Sequence, residues 1–243
     1  MPSTKADIIA RLQRDILPLQ GYRSSLRSMA MDVGLGPIKN AFPNAAFPLG
    51  AIHEFCAAGV EETAASGGFI AGILSALMRD GGAALWIGAL PTVFPPALAS
   101  FGIAPERIIF IDAKNHKDAL WAMEEALKCN TLAAVVGELP EMNFTASRRL
   151  QLAVEQSRVT GFVLRRDPRY LHTTACIARW KIVPLPGEIM DDIPGVGFPR
   201  WQVELLKVRN GKPGSWTLTW KNGSFRHGYK LAPLIQEQQK KTG

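Results

Sequence analysis

Phe47-Pro48-Leu49-Gly50-Ala51-Ile52-His53-Glu54 reads as a turn leading into a short strand, and the residues that follow it decide the fold. A glycine- and alanine-rich stretch, residues 57–68, is expected as a loop. After it comes an apolar helix with Phe69, Ile70, Ile73, Leu74, Leu77 and Met78. Strand, glycine-containing loop and helix make the frame of a phosphate-binding loop. A working loop carries G-x-x-x-x-G-K-[ST]: backbone amides wrap the phosphates, Lys reaches the terminal phosphates and Ser/Thr holds Mg²⁺. Here the stretch is Gly59-Val60-Glu61-Glu62-Thr63-Ala64-Ala65-Ser66-Gly67-Gly68-Phe69, with no Lys or Arg. Glu61 and Glu62 are expected on a solvated loop, facing the place of a polyphosphate. Like charges a few ångströms apart cost on the order of kcal/mol each even at an effective dielectric near 20.

Beyond this point strands and helices alternate. Ala83–Gly88 is a continuous apolar run, the signature of a sheet covered on both faces; Arg107–Ile111 reads as the next strand, Leu132–Gly137 as a third, buried one and Gly161–Leu164 as a fourth. Residues 116–128 and 145–157 carry helical spacing between them. The alternation predicts an α/β fold with a mostly parallel sheet and helices on both faces. Residues 175–183, 201–209 and 215–221 then read as longer strands. Asn210-Gly211-Lys212-Pro213-Gly214 forms a turn, giving a C-terminal antiparallel hairpin. Trp201, Trp216 and Trp220 are expected as core or interface anchors. Residues 184–199 read as a mobile Pro/Gly loop.

The carboxylates that triphosphate hydrolysis requires are also missing from their places. The strand after the first helix runs Trp86-Ile87-Gly88-Ala89-Leu90, without an acid. The central strand ends Val135-Val136-Gly137, with Glu138 one residue late for a magnesium-supporting carboxylate. No other catalytic constellation stands out. Cys56, Cys129 and Cys176 lack metal-ligand spacing and read as buried apolar thiols in a reducing, cytoplasmic compartment. Neither a signal peptide nor an apolar run long enough to span a membrane is seen.

Of the 243 residues, 47% are hydrophobic, ordinary for a globular domain, but the net charge of +7 is uneven. Residues 54–125 hold nine acids and four bases, whereas residues 200–230 hold one acid and seven bases. A basic C-terminal half fits an anionic partner. Near the N-terminus, Ile8, Ile9, Leu12, Ile16 and Leu19 make a helical stripe that one helix cannot bury alone. The domain reading is an N-terminal association helix over 1–20, a linker over 21–46, the main domain over 47–232 and a flexible tail over 233–243.

The chain resembles the ImuA family, RecA-like proteins of bacterial inducible-mutagenesis cassettes. The resemblance rests on the stretch from Phe47 to Glu54, on Ala119-Leu120-Trp121-Ala122-Met123-Glu124-Glu125-Ala126-Leu127 and on Ala133–Glu138. It continues through Thr145-Ala146-Ser147-Arg148-Arg149-Leu150-Gln151-Leu152-Ala153, Pro199–Leu206 and Pro213-Gly214-Ser215-Trp216. A more distant likeness is to SulA, a cell-division inhibitor. The resemblance implies a RecA-like core and a non-enzymatic role in damage-induced translesion synthesis. Its implied partners are ImuB, a polymerase-like protein without activity, RecA and an alternative replicative-type polymerase. It carries over no catalytic, cofactor-binding or metal-ligating residue. The alternative from the fold frame is an ATP-dependent recombinase or motor relative.

Two basic regions are candidates for contact with DNA or a protein partner. One is the stretch Arg165-Arg166-Asp167-Pro168-Arg169-Tyr170-Leu171-His172, where cations and an aromatic ring suit phosphate contact and base stacking. The other is the hairpin carrying Lys207 and Arg209. Arg148 and Arg149 join them, because cations are disfavoured where a helix begins. Self-association through the N-terminal helix is a further expectation.

Overall fold

The computed structural model describes residues 31–89, 93–166, 172–188 and 197–228. The elements are β1 (Ile52–Ala57), α1 (Gly59–Leu77), β2 (Ala84–Gly88), β3 (Ile108–Asp112), α2 (His116–Leu127), β4 (Ala134–Glu138), α3 (Phe144–Ser157), β5 (Thr160–Arg166), β6 (Ala178–Glu188), β7 (Phe198–Val208), β8 (Gly214–Lys221) and β9 (Ser224–His227). They form one nine-stranded sheet in the order β3-β2-β4-β5-β1-β6-β7-β8-β9. Strands β1 to β6 pair in parallel, and β6 to β9 pair antiparallel. This is the α/β architecture with an antiparallel C-terminal part that the strand–helix alternation predicts.

Two cores flank the sheet. On one face α1 lies over Phe55, Trp86, Phe162, Trp180 and Trp201. On the other, α2 and α3 cover Ile52, Ile87, Val135 and Val163. The alternation of neighbours such as Trp86 and Ile87 between these clusters is the period-2 pattern of a strand buried on both sides. Asn115 and Asn143 cap α2 and α3: each side-chain oxygen accepts from a backbone N–H three residues on, at 3.0 and 2.8 Å.

The expected glycine loop is helix. α1 begins at Gly59, leaving Ala58 as the single residue after β1. Alanine-rich sequence favours helix, and Glu61 and Glu62 fall in the first turn, where acids suit the helix dipole. Gly68 of that stretch, and Gly72 one turn beyond it, serve packing. A Cβ on Gly72 would come within 2.5 Å of the Phe225 ring, and one on Gly68 within 3.2 Å of Phe101.

Residues 31–46 also depart from their linker reading. They form 3-10 turns at Gly36–Ala41 and Pro43–Ala45, with Val33, Leu35, Ile38, Ala41 and Phe42 buried. His227 Nε2 meets the Leu35 carbonyl at 2.9 Å, and Lys212 N–H donates to the Ala41 carbonyl at 2.8 Å. The segment thereby clamps the antiparallel strands. The expected loop over 184–199 contracts likewise, because β6 runs to Glu188 and β7 starts at Phe198. Pro184 is tolerated because β1 pairs with β6 only through Trp180, so β6 has run past its neighbour there. The association-helix residues Ile8, Ile9, Leu12 and Ile16, and the tail over 233–243, lie outside the described residues.

Candidate functional site

In open α/β sheets, ligands bind in the crevice beyond the carboxyl ends of the strands. Here that crevice is a cavity of about 690 Å³, bordered by Gly59, Thr63, Ala89, Lys114, His116 and Arg166. Its floor is the β1–α1 junction. Glu62 turns back on the helix start, and its Oε2 accepts from the Ala58 N–H at 2.7 Å. Its other oxygen lies 3.4 Å from Lys181 Nζ on β6. The Thr63 hydroxyl donates to the Gly59 carbonyl at 2.7 Å. A carboxylate of the chain itself therefore satisfies the N-cap amide at this helix start, and the nearby hydroxyl has a partner. Glu61 points to solvent as expected, whereas Glu62 belongs to the folded junction rather than to a solvated loop.

Glu138, at the end of β4, is buried and faces α1, on the same side as Val136. It accepts from Trp86 Nε1 at 2.8 Å, and Arg166 Nε lies 3.8 Å from its second oxygen. The carboxylate is used to hold a tryptophan and an arginine in the wall of the crevice.

Behind the crevice lies a network that sequence reasoning missed. Glu54, fully buried in β1, accepts from Arg165 Nη1 at 2.9 Å, Thr174 Oγ1 at 2.9 Å and Arg179 Nε at 2.8 Å. Arg179 also donates to the His172 carbonyl at 2.5 Å. These partners lie 111 to 125 residues from Glu54, so no local motif joins them. Burial, with the Glu54 charge nearby, pushes the Cys56 and Cys176 thiols up to about 12. They stay protonated and inert at neutral pH, whereas Cys129, expected to be buried like them, is exposed. His53 is displaced in the opposite sense: burial lowers it to about 4. Its ring stacks on Phe47 with centroids 4.4 Å apart and meets the Pro48 carbonyl at 2.8 Å.

Among the described residues, the proposed contact residues do not assemble into one surface. Arg165 is 3% exposed and bound to Glu54, which corrects its assignment as a contact in a loop: it closes β5 and neutralises a buried carboxylate. Arg166 borders the crevice. Lys207 and Arg209 donate to the carbonyls of Thr174 and Ala175 at 3.3 and 3.0 Å, fastening the lead-in to β6. On α3, Arg148 lies 3.7 Å from Glu155, and Arg149 pairs with Glu124 of α2. Arg169 and Tyr170 lie outside the described residues.

No family model matches the chain. It is 37% identical over 221 residues to Protein ImuA of Caulobacter vibrioides strain NA1000 / CB15N, a match covering 85% of this chain and 90% of that protein. The ImuA of strain ATCC 19089 / CIP 103742 / CB 15 matches equally. Among solved structures, the crystal structure of the RadB recombinase superposes with a TM-score of 0.52 at 14% identity. That superposition covers 74% of this chain and 92% of the other, and it shows a shared RecA-like fold.

Proposed function

The chain belongs to the ImuA family, and from that premise we propose that it is a non-catalytic, RecA-like accessory protein of damage-induced, error-prone translesion DNA synthesis. It acts as an adaptor to an ImuB-like polymerase-family partner or to RecA. The observation that carries the non-catalytic part is the Glu62 carboxylate, seated on the Ala58 N–H and beside Lys181 at the helix start. A polyphosphate there would have to displace an internal anion and would find no lysine of the phosphate-binding motif. Glu138 adds to this, because its oxygens already meet Trp86 and Arg166. Without a nucleotide to switch it, a RecA-like body works through its surfaces.

The test is co-purification of the full chain with an ImuB-like protein and, separately, with RecA, each with and without Mg-ATP. Association indifferent to nucleotide is expected. Association that requires ATP would overturn the reading, as would turnover of ATP by the purified chain.

A further inference from the structure

The four antiparallel strands are covered on one face only. Toward α1, Trp180, Ile182, Trp201, Val203, Leu218 and Phe225 are all buried. Residues of the opposite face alternate with these. Cross-strand pairing puts Leu185, Arg200, Thr219 and Arg226 in one row, and Val183, Gln202 and Thr217 in the next. Among the described residues, α2 and α3 pack over β1, β2, β4 and β5, and neither lies over β6 to β9. Among the described residues no helix covers this face; Arg200, Ser215 and Arg226 are exposed on it, and Thr219 is buried between the two arginines.

Arg200 and Arg226 are exposed and flank Thr219, about 10 Å apart across two strand spacings. Among the described residues neither has a carboxylate within salt-bridge distance. Beside them stand Gln202, Ser215 and Thr217, half-buried or exposed amide and hydroxyl groups. Gln202 Oε1 accepts from Thr217 at 3.2 Å, and Gln202 Nε2 donates to Ser215, which orders the row. At one end the Lys221 ammonium sits 5.0 Å over the Phe198 ring. Glu204, paired with Lys181 and Ser215, is an acid on this face.

We propose that this open face is a binding surface for single-stranded nucleic acid, engaged through its phosphate backbone. Arginine, hydroxyl and amide donors are the groups that contact phosphate and sugar. A protein partner is less well matched, because protein interfaces centre on aromatic or aliphatic anchors, and the aliphatic groups named on this face, Val183 and Leu185, stand at its β6 side rather than between the arginines. A duplex is less well matched too: a flat sheet presents no helix or ribbon to enter a groove. Its residues are other than Arg165, Arg166, Lys207 and Arg209. It goes beyond the accessory-protein reading and does not rest on it.

The test is fluorescence anisotropy of the full chain with labelled oligothymidylate across a salt series. Binding should be weak, sequence-tolerant and salt-dependent. Arg200→Glu with Arg226→Glu should weaken it by about tenfold and flatten the slope of log K against log salt by about 1.4, two phosphates at about 0.7 each. The thermal midpoint should stay unchanged. Lys117→Glu with Lys128→Glu, on the far helix α2, controls for net charge and should leave binding intact. If the arginine double variant fails to fold, Arg200→Gln and Arg226→Gln should each remove about 0.7 from the slope. No binding at low salt overturns the proposal. So does equal binding by the arginine variants, or an equal loss in the α2 control. Capture of a polyglutamate peptide in place of the oligonucleotide would overturn it in favour of an acidic protein. None of these outcomes changes co-purification with an ImuB-like protein, so the two readings fail separately.

Discussion

The carboxyl ends of the parallel strands and the open face of the antiparallel strands both carry charge, but they use it in opposite ways. At the parallel end, Glu62 is satisfied by Ala58 N–H and Lys181, Glu138 by Trp86 and Arg166, and Glu54 by Arg165, Arg179 and Thr174. On the antiparallel face, Arg200 and Arg226 stand exposed with no acid beside them among the described residues. The difference teaches that charge in a ligand crevice is not by itself a ligand site. Where the fold has already paired each carboxylate, the residues hold the structure together, and the unpaired cations elsewhere are the ones available for binding.

The sharpest way to break this comparison is at Glu54. Glu54→Ala leaves two buried guanidinium groups without their anion and should cost about 3–5 kcal/mol, read by urea denaturation. A loss under about 1 kcal/mol would mean that the network is not structural, and the contrast would collapse.

His53 gives the next largest effect. It is neutral in the folded chain with its pKa near 4, against 6.5 for the ordinary imidazole. The unfolded chain therefore binds more protons between these values. The His53 contribution is fully present above about pH 6.5 and is lost as pH falls toward 4. The pKa difference corresponds to about 3 kcal/mol. Chemical denaturation of wild type across that window should show the loss, and His53→Gln should flatten it. A curve unchanged by the substitution would contradict the buried neutral ring.

A smaller contrast separates two adjacent acids. Glu62→Ala removes the carboxylate that satisfies Ala58 N–H and should cost about 1 kcal/mol, within the range of helix N-terminal caps. Glu61→Ala, on the wet side of the same turn, should stay within about 0.5 kcal/mol. Equal effects in thermal melts would show that Glu62 is not the anion of the junction.

Much of the parallel half was legible in the sequence, because a strand buried on both faces writes itself as an unbroken apolar run such as Ala84–Gly88 or Ala134–Gly137. The C-terminal hairpin was legible from Asn210-Gly211 and the alternation of Trp216, Leu218 and Trp220. Residues 31–46 were not legible, since their order comes from contacts with Lys212 and His227 far along the chain and carries no period. The start of α1 was misread because Gly68 answers to ring packing across the fold rather than to local flexibility. Site charges failed for the same reason. Arg165 looks like a loop cation until β1 brings Glu54 against it, and Arg200 and Arg226 share a row only once β7, β8 and β9 are in register.

We propose that Glu62 stands in for nucleotide phosphates at the start of α1, and a thermal-shift titration of the full chain with Mg-ATP decides it. The account predicts no rise in midpoint and no release of phosphate above background. A bound ligand at 100 times its dissociation constant would stabilise the fold by about 2.7 kcal/mol, a shift readily seen. A clear, magnesium-dependent rise in wild type would contradict the account.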